Sequence, residues 1–237
     1  MPLERPLVIG FDGLHRAGKG TQAAMLRDAI SEGGGSSVIL RGDGTREGLG
    51  LHEGDPYSEE WQSRGRMVKS SGGNTVENWN AASLLLVKEL VAKRREQPQS
   101  HDALLVDRTI LSRAAFLLHR GVILEGEQTT LDELYPNSSE VVINESDIRS
   151  GVPDIIFELA VPTPNALLER LETDDPKYTF RARNIRGGFH AAARAKDQLP
   201  QDVQDRIITI DATSGVDEVH SLVRRHLAST ALAQFLR

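Results

Sequence analysis

Residues 11–22 read FDGLHRAGKGTQ, and the positions in it that can do chemistry are regularly spaced: Gly13, four residues, then Gly18-Lys19, with Thr21 beyond Gly20. Glycines at such points let successive backbone N–H groups turn toward one centre without interference from Cβ, which builds a nest for an anion. A helix opening at Lys19 adds about half a positive charge at its N-terminus. Lys19 is placed to bridge the β- and γ-phosphates of a nucleotide, and Arg16 puts a second cation in the same loop. This is the frame of a phosphate-binding loop set between a strand and a helix. The strict pattern has Ser or Thr directly after the lysine. Here Gly20 stands there and Thr21 follows, as in the GKGT version. A glycine-rich turn with a chance lysine is the plainer alternative, but the apolar run before the loop and the helical pattern after it both favour a phosphate site. His15 reads equally as a ligand contact or as a surface histidine, because no partner for it can be named from the letters.

The elements that must position these residues are short. Apolar runs of strand type recur at Leu7–Phe11, Val38–Leu40, Ala103–Val106, Asp154–Val161 and Arg206–Ile210. Most are continuous rather than alternating, as expected of strands buried on both faces. Helical patterns lie between them. Lys19–Glu32 stops at Gly33-Gly34-Gly35, Val76–Glu96 stops before Pro98, and Ile110–Arg120 stops at Gly121. Pro164–Glu172 has Thr163 as a cap, Gly188–Leu199 ends before Pro200, and Val216–Leu236 closes the chain. Strand and helix in alternation predict an α/β fold with a central parallel sheet of about five strands and right-handed crossovers. Two long polar segments, 42–74 and 122–152, break the rhythm. They are expected to cover the carboxyl ends of the strands, where open α/β sheets bind ligands.

Bulk composition narrows the partners. At 237 residues, with 39% apolar and 26% charged, the chain is globular and sized for one compact domain. A formal net charge of −6 argues against a duplex nucleic-acid binder, so an anionic ligand must be met by a local cationic patch. The absence of cysteine excludes disulfides and thiolate metal sites and fits a reducing cytoplasmic setting. No apolar run is long enough for a signal peptide or a membrane-spanning helix.

Three further stretches join the first: LLVDRTILSRAAF (104–116), PDIIFELAVP (153–162) and DRIITIDATSGVDEVH (205–220). In this order and spacing the four resemble the thymidylate kinases, of the nucleoside monophosphate kinase group, over roughly residues 6–228. The resemblance implies a P-loop three-layer α/β/α fold over 1–237 with a mobile lid near 174–188, and a donor site for ATP with Mg²⁺. It places the donor phosphates on Gly13, Ala17, Gly18, Lys19, Gly20 and Thr21, and on Arg16, which matches members with arginine in this loop. Thr21 and Asp107 inherit the metal. Arg108 inherits the acceptor phosphate, and Arg41 stands in the place of a family arginine. Arg181, Arg183 and Arg186, within YTFRARNIRGG, fall where the lid closes on the phosphates; a solvated basic loop is the plainer reading of that charge run.

The acceptor side departs from the family. His15 replaces an aspartate that faces the acceptor sugar, Thr109 replaces a tyrosine, and Ser83 stands where an arginine is expected beside the base-holding Trp79. Trp79 and Phe116 are candidates to sandwich a nucleobase, with core packing as the alternative. Asp12 reads either as an acceptor or metal contact or as a loop cap. His101, His119, His190, His220 and His226 show no metal-ligand spacing. The resemblance thus implies a small-molecule kinase acting on a nucleoside monophosphate, forming a homodimer and binding no nucleic-acid polymer. A kinase acting on a nucleoside hydroxyl is the alternative, since VDRTILSRAAF also resembles the deoxynucleoside kinases. A non-catalytic ATP-binding switch comes third.

Overall fold

The computed structural model describes residues 5–41, 91, 101–109, 111, 152–171 and 178–236. Trp79, Ser83 and Phe116, the segment 42–74, nearly all of 76–96, 110–120 and 122–152, and the first part of the expected lid lie outside the described residues.

Each apolar run forms a strand: β1 Leu7–Gly13, β2 Ser37–Arg41, β3 Ala103–Asp107, β4 Ile155–Ala160 and β5 Ile207–Asp211. They form one sheet in the order β2-β3-β1-β4-β5. Every neighbouring pair is parallel. Continuous apolarity is explained by burial on both sides. Val8, Ile9, Phe11, Leu104, Leu105, Ile156 and Phe157 are all fully buried.

Two contacts on adjacent residues show that both faces of the sheet are covered. The Phe157 ring meets His226 of α5 (Val216–Leu227), while the next side chain, Glu158, points the other way to Lys196 of α3 (Tyr178–Gln198), at 2.9 Å. Side chains alternate along a strand, so α3 and α5 flank opposite faces and the layers are α/β/α. Helix α1 (Lys19–Glu32) packs on β1, β2 and β3 and against α5. Its buried positions Gln22, Ala23, Leu26 and Ile30 make one stripe at helical spacing.

The chain leaves β1 toward β2 on one side and later returns to β4 on the other. β1 therefore stands at the topological switch point, with β3 and β4 as its neighbours. An α/β sheet opens its ligand crevice at the carboxyl end of such a strand. The registers Phe11↔Asp107 and Arg41↔Asp107 bring the ends of three strands level with one another at this edge.

Four boundaries differ from expectation. The stretch YTFRARNIRGG is not a loop between two helices. α3 runs unbroken from Tyr178 to Gln198, straight through Gly187-Gly188. Glycine weakens a helix by about 1 kcal/mol, which tertiary packing overrides. Gly188 is buried, and a Cβ there would lie 3.0 Å from Leu14 Cδ2, so the small residue admits close contact with the loop after β1. After β4, Thr163 is not the cap. Pro164 holds that position with no side-chain cap bond, and α2 covers only Asn165–Leu168 before loose turns. A further short helix, α4, forms at Gln201–Gln204. The closing helix ends at Leu227, after which a 3₁₀ turn at Ala231–Phe235 packs under the end of α1.

Candidate active site

The loop from Gly13 to Gly18 is shaped by backbone that ordinary residues avoid. Gly13 has φ +133, and a Cβ there would lie 2.5 Å from the Leu159 carbonyl oxygen, so only glycine fits. Gly18, at φ +94, caps α1. Between them Arg16 adopts φ +64, although it carries a side chain. The alternation turns amides inward and aims α1 at the crevice. Ala17 is buried and spends its own amide on Leu14 O within the loop, at 3.2 Å.

Lys19 is almost fully buried at 6% exposure, and its Nζ donates to Leu14 O at 2.6 Å, folding the side chain back over the loop. Burial, together with the Arg108 guanidinium, lowers its pKa to about 7; Asp107 and Asp12 act in the opposite direction. A lysine held this way is a cation awaiting an anion, since a phosphate in the nest supplies the charge that restores its proton affinity.

A cavity of about 480 Å³ opens above the loop, lined by Arg16, Gly18, Lys19, Gly20, Thr21, Asp107, Arg108, Arg170 and Val216. Cations, backbone amides, one hydroxyl and one carboxylate thus face one space. Asp107 ends β3 directly over the loop, with its Oδ2 at 3.6 Å from where a Cβ on Gly20 would sit. The same Oδ2 is 3.6 Å from Arg41 Nε, while Oδ1 is buried and, among the described residues, lacks a hydrogen-bond partner. An orphaned carboxylate oxygen on a residue that lines the same cavity as Thr21 suits a hard, oxygen-ligated divalent cation. Among the described residues no group of three or more His, Cys, Asp or Glu side chains forms a metal cage.

Arg108 follows Asp107 at φ +74, its amide donating to Phe11 O at 3.0 Å. Its Nη2 lies 3.4 Å from His15 Nδ1. His15 therefore has a partner, and its pKa falls to about 4 through burial and the charges of Arg108, Lys19, Arg181 and Arg16. Arg181, in the first turn of α3, is thus within electrostatic reach of the loop. Arg186 is exposed, and the Arg183 side chain lies outside the described residues.

Asp12 is fully buried and accepts from the Thr109 amide at 3.2 Å and from the Thr109 hydroxyl. It does not line the cavity. Fully buried, it ties β1 to the turn after β3 and stands as a counter-charge near Lys19.

Two wall residues carried no signal in the sequence. Arg170 reaches across the site, donating from Nη2 to Ala212 O at 2.6 Å and from Nη1 to Arg16 O at 3.4 Å. It clasps the phosphate loop to the turn after β5. Val216, 53% exposed at the head of α5, gives the cavity an apolar edge.

Comparison with known proteins agrees with this architecture. No family model matches the chain. A curated thymidylate kinase from Chlorobaculum parvum is 27% identical over 233 residues, spanning 90% of this chain and 92% of that protein. Among solved structures, the thymidylate kinase of Candida albicans superposes with a TM-score of 0.58 at 16% identity, covering 95% of this chain and 92% of the other. The deoxyadenosine kinase of M. mycoides, solved with bound dATP, superposes with a TM-score of 0.53 at 17% identity, covering 94% and 100%. At such low identity the two structures show a shared fold alone.

Proposed function

We propose that this thymidylate kinase-like chain, a phosphotransferase of the nucleotide and nucleoside kinase type, moves the γ-phosphate of ATP onto a nucleoside monophosphate. The observation that carries the reading is the convergence of Arg16, Lys19 and Arg108 on one cavity with the loop amides, and of Arg181 close by, in a chain whose overall charge is negative. Such a density of positive charge suits two phosphorylated partners better than one, because Arg108 lines the same cavity as the donor cations and would face an uncharged hydroxyl in a nucleoside acceptor. A curated relative named as a thymidylate kinase supports the same direction.

Phosphoryl transfer depends on alignment and charge compensation more than on covalent help from the protein. The loop amides, apart from that of Ala17, which bonds Leu14 O, and the α1 N-terminus would hold the donor chain. Lys19 would swing from Leu14 O onto the β- and γ-oxygens, with Arg16 on the rim. Thr21 and Asp107 would hold Mg²⁺, which when bound neutralises donor charge. Arg108 would bind the acceptor phosphate in line with the donor, and Arg181 would approach the group in flight. The guanidinium of Arg170 and the apolar edge at Val216 would border the rest of the donor. Pairing of two copies and a cytoplasmic location complete the reading. Among the described residues no helix is long and apolar enough to cross a membrane.

The direct test is a panel of nucleosides and nucleoside monophosphates with ATP and Mg²⁺, followed by ADP release. At least one monophosphate should stimulate release strongly. Stimulation by nucleosides alone would replace the reading with a nucleoside kinase, and no stimulation together with tight ATP binding would point to a switch. Lys19→Ala should lower turnover by about 10²–10³, roughly 3–4 kcal/mol, the scale for losing one preorganised charge donor. Undiminished turnover would remove Lys19 from the reaction.

A further inference from the structure

The contact between His15 and Arg108 joins the phosphate loop to the end of β3, two segments 93 residues apart. A guanidinium has only donors, so in this pair Nδ1 of His15 must accept and carry no proton. The ring is neutral, with its proton on Nε2. The charged groups facing it are Arg108, Lys19, Arg181 and Arg16, and all four together with burial disfavour the imidazolium. A carboxylate at this position would also accept from Arg108, but it would cancel the charge in an ion pair. A neutral imidazole orients the guanidinium and leaves the charge whole.

We infer that His15 is a positioning residue: through Nδ1 it holds Arg108 toward the crevice as an uncompensated cation for the acceptor phosphate. The inference rests on the reading of Arg108 as the acceptor's cation. Backbone geometry adds support. Arg108 sits at φ +74, a conformation that a side chain adopts only when its surroundings hold it there, and among the described residues His15 is the side-chain partner at its far end. At 3.4 Å the contact is long, so its effect is on orientation rather than on tight binding, and losing it should matter about tenfold rather than a hundredfold.

The test separates the two nitrogens. Asparagine places an amide oxygen near the position of Nδ1, whereas glutamine places its polar head near that of Nε2. With ATP, Mg²⁺ and dTMP as the probe acceptor, His15→Ala and His15→Gln should raise the dTMP KM about tenfold and leave the ATP KM within about twofold. His15→Asn should restore most of the dTMP affinity. Thermal melting of each variant checks that all are folded. In parallel, long-range ¹H–¹⁵N spectra of ring-labelled wild type should show an unprotonated Nδ1 and a protonated Nε2 for His15 at neutral pH, with a shift of the Nδ1 signal in Arg108→Ala. Equal KM values across the series, or rescue by Gln and not Asn, would overturn the positioning role. A protonated Nδ1 in an active wild type would overturn the pair alone. If wild type shows the expected ring signals but no monophosphate of the panel is phosphorylated, the acceptor reading fails and takes the role of His15 with it.

Discussion

His15 lies among four cations, and its protonation is linked to folding. In the folded chain its pKa is lowered to about 4 from an ordinary 6.5. Between those values the unfolded chain binds more protons, so stability rises with pH across the window. The contribution is fully present above pH 6.5 and is lost as pH falls toward 4. Denaturant titrations should therefore show wild type losing stability more steeply than His15→Asn between pH 6.5 and 4. Parallel slopes would contradict the neutral, buried ring. Solvent reaches part of the side chain, so the difference will be smaller than the full linkage value. Legibility in the sequence divides at this same scale. Gly13, Gly18 and Lys19 were readable because their chemistry depends on spacing within seven consecutive positions. The partnership of His15 with Arg108 was not, since it exists only once β1 and β3 pair in register. Asp12 shows the same limit: its bonds to Thr109 join residues 97 positions apart and exist only once β1 and β3 pair.

Among the elements, the strands were legible because a sheet buried on both faces leaves continuous apolar runs, and α1 because Gly33-Gly34-Gly35 ends it abruptly. α3 was misread at its middle. Gly187-Gly188 looks like a break to local propensity, yet the helix continues through it, with Gly188 buried close to Leu14. The unbroken α3 presents Arg181 from its first turn, within electrostatic reach of the loop. α2 is too short to hold position alone, and Arg170 after it is fixed by two carbonyl oxygens, Arg16 O and Ala212 O. Arg170→Ala should release this clasp and raise the ATP KM about tenfold, on the scale of one hydrogen bond to a charged group, with the dTMP KM unchanged. Steady-state kinetics with each substrate varied in turn will show it. An equal rise in both constants would mean that the whole crevice, and not its donor half, depends on Arg170.

Taken as a molecule, the chain joins a negative total charge to a cationic crevice at the switch point of its sheet. The core beneath is centred on Phe157, fully buried on β4 and packed against Phe11 of β1 with ring centroids 5.8 Å apart. These two rings join the strand that carries the phosphate loop to the half of the sheet that carries Arg170. Phe157→Ala should cost about 3–5 kcal/mol, a large part of the stability of an ordinary domain, and lower the melting temperature accordingly. A melting point close to that of wild type would show that the core closes around the gap. Strand order, unlike strand existence, was not legible, because nothing in a run of apolar letters tells which neighbour it will pair with.

Arg16 and Arg108, two of the three arginines that line the cavity, both occupy left-handed backbone, at φ +64 and +74. Glycine or asparagine would rest there at ease, so the fold gives up some ruggedness, about 1 kcal/mol or more at each site, to keep a guanidinium in that place. A laboratory population of this chain selected for heat tolerance alone should accumulate glycine and asparagine at these two codons early, and the survivors should be hardier proteins that have lost their catalyst.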